Sequence, residues 1–198
     1  MSSMTRSATI KRATSETDIT LSLALDGGGS ADVSTGVPFF DHMLGAFGRH
    51  GLFDLEVRAT GDLEIDAHHT VEDVGICLGQ AIARALGDKR GIRRFGSVFV
   101  PMDEALVLAA VDISGRGQLH YDLEVPIEIV GTFDTTLARE FLVALAANAG
   151  ITLHVVGFAG TNTHHIIEAA FKAVGRALAE AVSLDPRVDG VPSTKGSL

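Results

Sequence analysis

The stretch His68-His69-Thr70-Val71-Glu72 returns, little changed, as His164-His165-Ile166-Ile167-Glu168, and each copy opens an amphipathic run. Between residues 68–86 and 164–182, seven of nineteen aligned positions are identical: both histidines, the glutamate, Gly79 with Gly175, and three alanine pairs. The chain therefore reads as a tandem duplication, with one half at 1–90, a second at 91–184 and a tail at 185–198. On a helix, residues four apart share a face, so His68 stands over Glu72 and His164 over Glu168, while His69 and His165 turn aside by about 100°. Two adjacent histidines cannot easily grip one ion together with that glutamate. Each word is expected to serve two ions, one imidazole apiece, and its residue order separates it from the HExxH protease motif. A single HHxxE is more often a solvated helix start than a ligand set. Its recurrence at matching helix starts is what points to metal.

Outward from these words, residues 9–25 alternate as an extended segment with Ile10, Ile19, Leu21, Leu23 and Leu25 facing inward, and Asp26-Gly27-Gly28-Gly29-Ser30 reads as a hairpin turn. Pro38 opens a helix that closes on Gly51, and residues 52–60 form the next strand. In the second half, strands are expected at 95–102 and 105–113, a returning strand at 119–125, a helix at 134–150 and an extended segment at 151–158. An offset of 98 rather than 96 aligns the earlier helices of the two halves, placing His42 on Glu140, Leu44 on Leu142 and Ala46 on Ala144. Each half then carries one ligand-type residue on its first helix and three on its second. The set is His42, His68, His69, Glu72, Glu140, His164, His165 and Glu168. Shared between two ions, it leaves coordination positions open for water or substrate, as catalytic sites do and closed structural zinc sites do not. Imidazole and carboxylate without thiolate suit Mn, Fe, Co, Ni or Zn.

Taken singly, His42 among Phe, Met and Leu reads as a core histidine, and Glu16 as a solvated strand edge. His50 ends a helix, where the dipole favours a cation. Lys172 continues the His164–Glu168 face, either as a cation beside an anionic substrate or as a snorkelling surface lysine. Cys77, the only cysteine, lies in an apolar stripe and reads as core. His120 and His154 lie in strands without a carboxylate at ligand spacing. With 46% hydrophobic residues the chain of 198 is globular, and a net charge of -9 argues against nucleic acid or an anionic membrane as partner. Residues 1–12 lack the apolar centre of a signal peptide and no stretch reaches the roughly 18 apolar residues of a membrane span, so a cytoplasmic location is expected.

Four words, FFDHML (39–44), GDLEIDAHHTVEDVG (61–75), GTNTHHIIEAAFKA (160–173) and PSTKG (192–196), occur in order and at compatible spacing. Together they resemble the imidazoleglycerol-phosphate dehydratase family, manganese hydro-lyases of histidine biosynthesis, over residues 9–196. The resemblance implies an α+β fold, a tandem pair of two-layer units, each a small mostly antiparallel sheet with two helices on one face, similar to the second domain of ribosomal protein S5. It implies dehydration of D-erythro-imidazole glycerol phosphate to imidazole acetol phosphate and water through a metal-bound imidazolate, with two Mn2+ ions per active site. A large homo-oligomer, a 24-mer of octahedral symmetry with active sites between subunits, is implied as well.

Carried over by position, His42, His68, His69, Glu72, His164, His165 and Glu168 are metal ligands. Glu16 is the acid/base group, displacing the solvated-edge reading, and His42, His69, Glu72 and His165 complete the catalytic set. Arg94 and Arg116 grip substrate phosphate, and Thr194, Lys195 and Gly196 fall on the family's substrate-site tail; Glu16, together with His50 and Lys172 from the residue readings above, makes further substrate contacts. Glu140 stands where some members have histidine; the duplication pairs it with His42, and it is kept as a ligand. Two rival classes use the same ligand types. A metal-dependent hydrolase would release free phosphate, and a metal-storing shell would give Glu16 and the arginines no task.

Overall fold

A computed structural model describes residues 6–198; Met1 to Thr5, part of the segment judged not to be a signal peptide, lie outside the described residues. Two units follow each other with one topology. The first runs β1 (Ser7–Ala13), β2 (Thr17–Ala24), β3 (Ala31–Ser34), α1 (Pro38–Gly51), β4 (Asp54–Gly61) and α2 (His68–Leu86). The second runs β5 (Phe95–Met102), β6 (Ala105–Asp112), β7 (Gln118–Asp122), a short hairpin β8 (Ile129–Val130) and β9 (Phe133–Asp134), α3 (Leu137–Ala149), β10 (Thr152–Ala159) and α4 (Thr163–Val182). Strand orders are β1-β2-β4-β3 and β5-β6-β10-β7. In each sheet the first three neighbours are antiparallel and the last pair is parallel.

Three local expectations are corrected. Residues 9–25 are not one strand but two, because Thr14 and Glu16 turn the chain: the Thr14 hydroxyl accepts the backbone N–H groups of Glu16 and Thr17. The glycine run is not a hairpin. It carries the chain across to β3, which pairs parallel with β4, and the Asp54 carboxylate accepts Gly28 and Ser30 N–H to hold the crossing. Likewise β7 does not run back against β6 but lies parallel to β10.

The helices lie inside and the sheets outside. α2 covers β1 and β2, α4 covers β5 and β6, and the units meet helix on helix, α1 against α4 and α2 against α3. The repeated glycine makes these crossings close. A Cβ at Gly175 would lie 2.5 Å from the Phe47 carbonyl oxygen, and one at Gly79 would lie 2.7 Å from that of Leu145, its counterpart at offset 98. These contacts also set direction: His42 meets Glu168 and Phe47 meets Gly175, so α1 and α4 run the same way, as do α2 and α3. The Phe40, Phe141 and Phe171 rings link the early turns of α1, α3 and α4. All four helices therefore begin at one end of the molecule.

The outer faces of the two sheets differ. The first presents Thr9, Lys11, Asp18, Thr20, Glu56 and Arg58, alternate residues that its inward Ile10, Ile19, Leu21 and Val57 leave pointing out. The second presents Phe95, Phe99 and Phe158, each more than half exposed, with Leu106, Leu108 and Val156 between them. No helix among the described residues is long and apolar enough to cross a membrane.

Candidate functional site

At the common start of the helices, α1 and α4 bring His42, His164 and Glu168 together, with one donor atom from each within 4.8 Å of the others. Glu168 is nearly buried and its two oxygens are divided. Oε1 accepts from Lys172 Nζ at 2.7 Å, whereas Oε2 faces His164 Nε2 at 2.9 Å and His42 Nε2 at 3.2 Å. Burial pushes this carboxyl up, but the bonds from Lys172 and His164 outweigh it and hold its pKa below the usual value. One carboxylate oxygen facing two imidazole Nε2 atoms is a donor set that one divalent cation fits, replacing the ring protons. His42 is thus not a core histidine: its side chain is 52% exposed, because the first turn of α1 faces the start of α4 and not the sheet. Lys172 does not snorkel to solvent but clamps Glu168 at 2.7 Å.

The corresponding group on α2 and α3 is looser. His68 Nε2 lies 4.0 Å from Glu72 Oε2, and both side chains are nearly half exposed. Glu140 occupies the place on α3 that His42 has on α1, yet its carboxylate pairs with Arg139 at 3.1 Å. Beside His68 a cleft opens, lined by Val37, Asp66, Asp134, Thr136 and Leu137.

His69 and His165 turn away from these groups, as the helical geometry requires. His69 Nδ1 bonds Asp62 at 2.9 Å and its Nε2 lies 3.9 Å from Glu16. His165 Nδ1 bonds Glu104 at 2.8 Å and its Nε2 lies 3.6 Å from Asp103. Both rings have raised pKa values, chiefly from these hydrogen bonds, and Glu104 is lowered to about 2 by His165 and by the Asn162 and Thr161 N–H groups. Glu16 is positioned by buried Asp73, which accepts from Thr17 Oγ1 at 2.5 Å and from Arg12 Nε at 3.0 Å, docking the β1–β2 turn on α2. Residue reading missed Asp62, Asp73 and Glu104. Only Asp62 and Asp73 lay close enough in sequence to a histidine word to offer a signal.

The remaining candidates sit elsewhere. Arg94 N bonds the Ala181 carbonyl at 2.8 Å, at the far end of α4 from His164. At 1.5 Å per residue the two are about 25 Å apart along the helix. The Arg94 guanidinium forks onto Asp112 at 2.7 and 3.3 Å and donates to the Pro192 carbonyl of the tail at 3.0 Å. Arg116, mostly exposed, has Nη2 4.0 Å from the same Asp112. Thr194, Lys195 and Gly196 are exposed in the tail, whose Leu198 reaches Gly115. His50, at the end of α1, has a lowered pKa from burial and from Lys172 and Arg176, so these neighbours offset the helix-dipole preference for a cation. One chain thus has a histidine-rich pole and an arginine-rich pole.

Fold and site define a duplicated α+β protein that gathers metal-type ligands at the shared start of its four helices. The imidazoleglycerol-phosphate dehydratase family model matches residues 35–178. The dehydratase of Acetivibrio thermocellus is 63% identical over 195 residues, covering 98% of this chain and 100% of that one. The Symbiobacterium thermophilum dehydratase is 65% identical over 189 residues, covering 96% and 91%. Among solved structures, that of the Staphylococcus aureus dehydratase superposes with a TM-score of 0.82 at 39% identity, covering 90% of this chain and 99% of its own. The Pyrococcus furiosus enzyme in complex with (S)-C348 gives 0.82 at 38%, covering 96% and 100%. The chain belongs to the imidazoleglycerol-phosphate dehydratase family, which are hydro-lyases.

Proposed function

We propose that this chain converts imidazole glycerol phosphate to imidazole acetol phosphate and water in the histidine pathway of the cytoplasm, using two Mn2+ ions per site. The observation that carries this reading is the convergence of His42, His164 and Glu168 in a chain so similar to named dehydratases. Cations held there would supply positive charge to the anionic form of the substrate's azole ring, from which the adjacent hydroxyl can then depart. The remaining work falls to the chain's own groups. The hydrogen to be removed sits on a carbon with no carbonyl beside it, so a base acts only once the ring has become an electron sink. Glu16, ordered over His69 by the β1–β2 turn, takes that proton. The hydroxyl leaves with a proton as water, and the enol gains a proton at the ring-side carbon to become the ketone. Arg94, Arg116 and Lys195 hold the phosphate: the exposed Arg116 guanidinium by a forked bond, Arg94 through the N–H groups that its own fork onto Asp112 leaves over, and the lysine as a point charge.

A three-carbon phosphate ester cannot reach across the roughly 25 Å between the poles of one chain. The site is therefore assembled between copies, the arginine pole and tail of one meeting the histidine pole of another. The exposed Phe95, Phe99 and Phe158 on the second sheet support association, since an apolar patch of this kind marks an interaction surface. Octahedral assembly into a 24-mer is the form this takes. The test is an assay of the purified protein with imidazole glycerol phosphate. Metal-dependent formation of the ketone is expected, while release of inorganic phosphate would establish a hydrolase instead.

A further inference from the structure

Each histidine word has a carboxylate behind its second ring, and the two carboxylates come from unrelated places. Asp62 lies in the β4–α2 connection and accepts from His69 Nδ1 at 2.9 Å. Glu104 lies in the β5–β6 turn and accepts from His165 Nδ1 at 2.8 Å. Duplication did not supply this match, for the β1–β2 turn, the first unit's equivalent of β5–β6, carries Glu16 at His69 Nε2 instead. The same bond has been reached by two routes.

Glu104 is also fixed from behind, and Asp62 is enclosed. The Glu104 oxygen Oε1 takes the N–H groups of Thr161 and Asn162 at 3.1 and 2.7 Å, leaving Oε2 to the ring. Asp62 is 15% exposed, and its second oxygen is buried without a partner, a desolvation cost that a surface position would have avoided. A carboxylate acceptor on Nδ1 sets the tautomer: the proton stays there, and the Nε2 lone pair of the neutral ring is left for an ion on the side where Glu16 and Asp103 stand, 3.9 and 3.6 Å away and beyond hydrogen-bond distance.

We propose that Asp62 and Glu104 are positioning residues that present His69 and His165 to metal through Nε2. This rests on the metal-dependent reading above. The test is Mn2+ titration of the full-length protein, with Glu104→Ala and Asp62→Ala each made in the parental chain and in chains lacking the partner ring, His165→Ala and His69→Ala respectively. In the parental chain each carboxylate variant lowers Mn2+ affinity by roughly 10- to 100-fold, the scale of lost outer-sphere support. In the chain without the partner histidine the same change has no further effect. Glu104→Gln, which keeps a carbonyl acceptor, recovers part of the loss. An equal loss in both backgrounds would mean that the residues only brace their loops, and an unchanged affinity would mean that they do nothing for the metal; either result overturns the proposal. A parental chain that takes up no Mn2+ would overturn the metal reading itself.

Discussion

The two ligand groups began as copies, and they differ most at two positions. At the start of α4, Glu168 is 9% exposed and held by Lys172; at the start of α2, Glu72 is 49% exposed. Ile76 occupies the place corresponding to Lys172, and Glu140 the place of His42. One group is therefore closed around a fixed carboxylate, and the other opens on a cleft, while Glu16 of the same unit faces the turned-aside ring of His69. After duplication, one copy kept a rigid donor set while the other kept room.

The largest test of this division is Glu16→Gln. Turnover should fall roughly 100-fold or more, the scale of a lost general base, with Mn2+ affinity unchanged. Turnover at the parental rate would leave the open side without its assigned task. Lys172→Met should come next, with Mn2+ affinity about tenfold weaker. Without the cation, burial raises the Glu168 carboxyl, so protons displace metal at a less acidic pH; titrations from pH 5 to 8 would show the shift. Should retention stay the same, the lysine does not account for the difference between the groups.

A third, more modest effect separates the metal-free and loaded proteins. His69 and His165 have pKa values raised above 6.5, so their ion pairs stabilise the metal-free fold below that pH, and the contribution disappears as pH climbs through the raised values. Metal needs the neutral rings, so its stabilisation grows over the same interval. The rise in melting temperature on adding Mn2+ should be greater at pH 8 than at pH 6, and a constant rise would count against histidine ligation. Smallest is the effect of Gly79→Ala and Gly175→Ala, each costing about 1–3 kcal/mol by overpacking a helix crossing, or roughly 2–4 °C of melting temperature per kcal/mol at this size. Matching losses would show that the crossings are equivalent even though the clusters are not.

The duplication could be read from residues because helical spacing repeats a whole word, and the glycine pair within it turned out to mark the helix crossings. Strand partners could not be read in the same way. The parallel pairing of β3 and β7 depends on crossovers that alternation does not encode, and the β8–β9 hairpin occupies only two residues a side. At the site, His42 looked like core when taken alone, and its alignment with Glu140 and the family word FFDHML marked it as a ligand. Glu104 was invisible because 61 residues separate it from the ring it serves, and a turn carboxylate has no distinguishing pattern.

The common origin of the four helices has an electrostatic result independent of any side chain. Each N-terminal end carries about half a positive charge from aligned peptide dipoles, and here four such ends lie at one pole. Any cation bound there sits against that field and relies on Glu72, Glu168 and their neighbours to stay. A negatively charged ring or a departing hydroxide is drawn by it. The backbone alone thus biases this end of the molecule toward anions, and the carboxylates restore the balance where metal must sit.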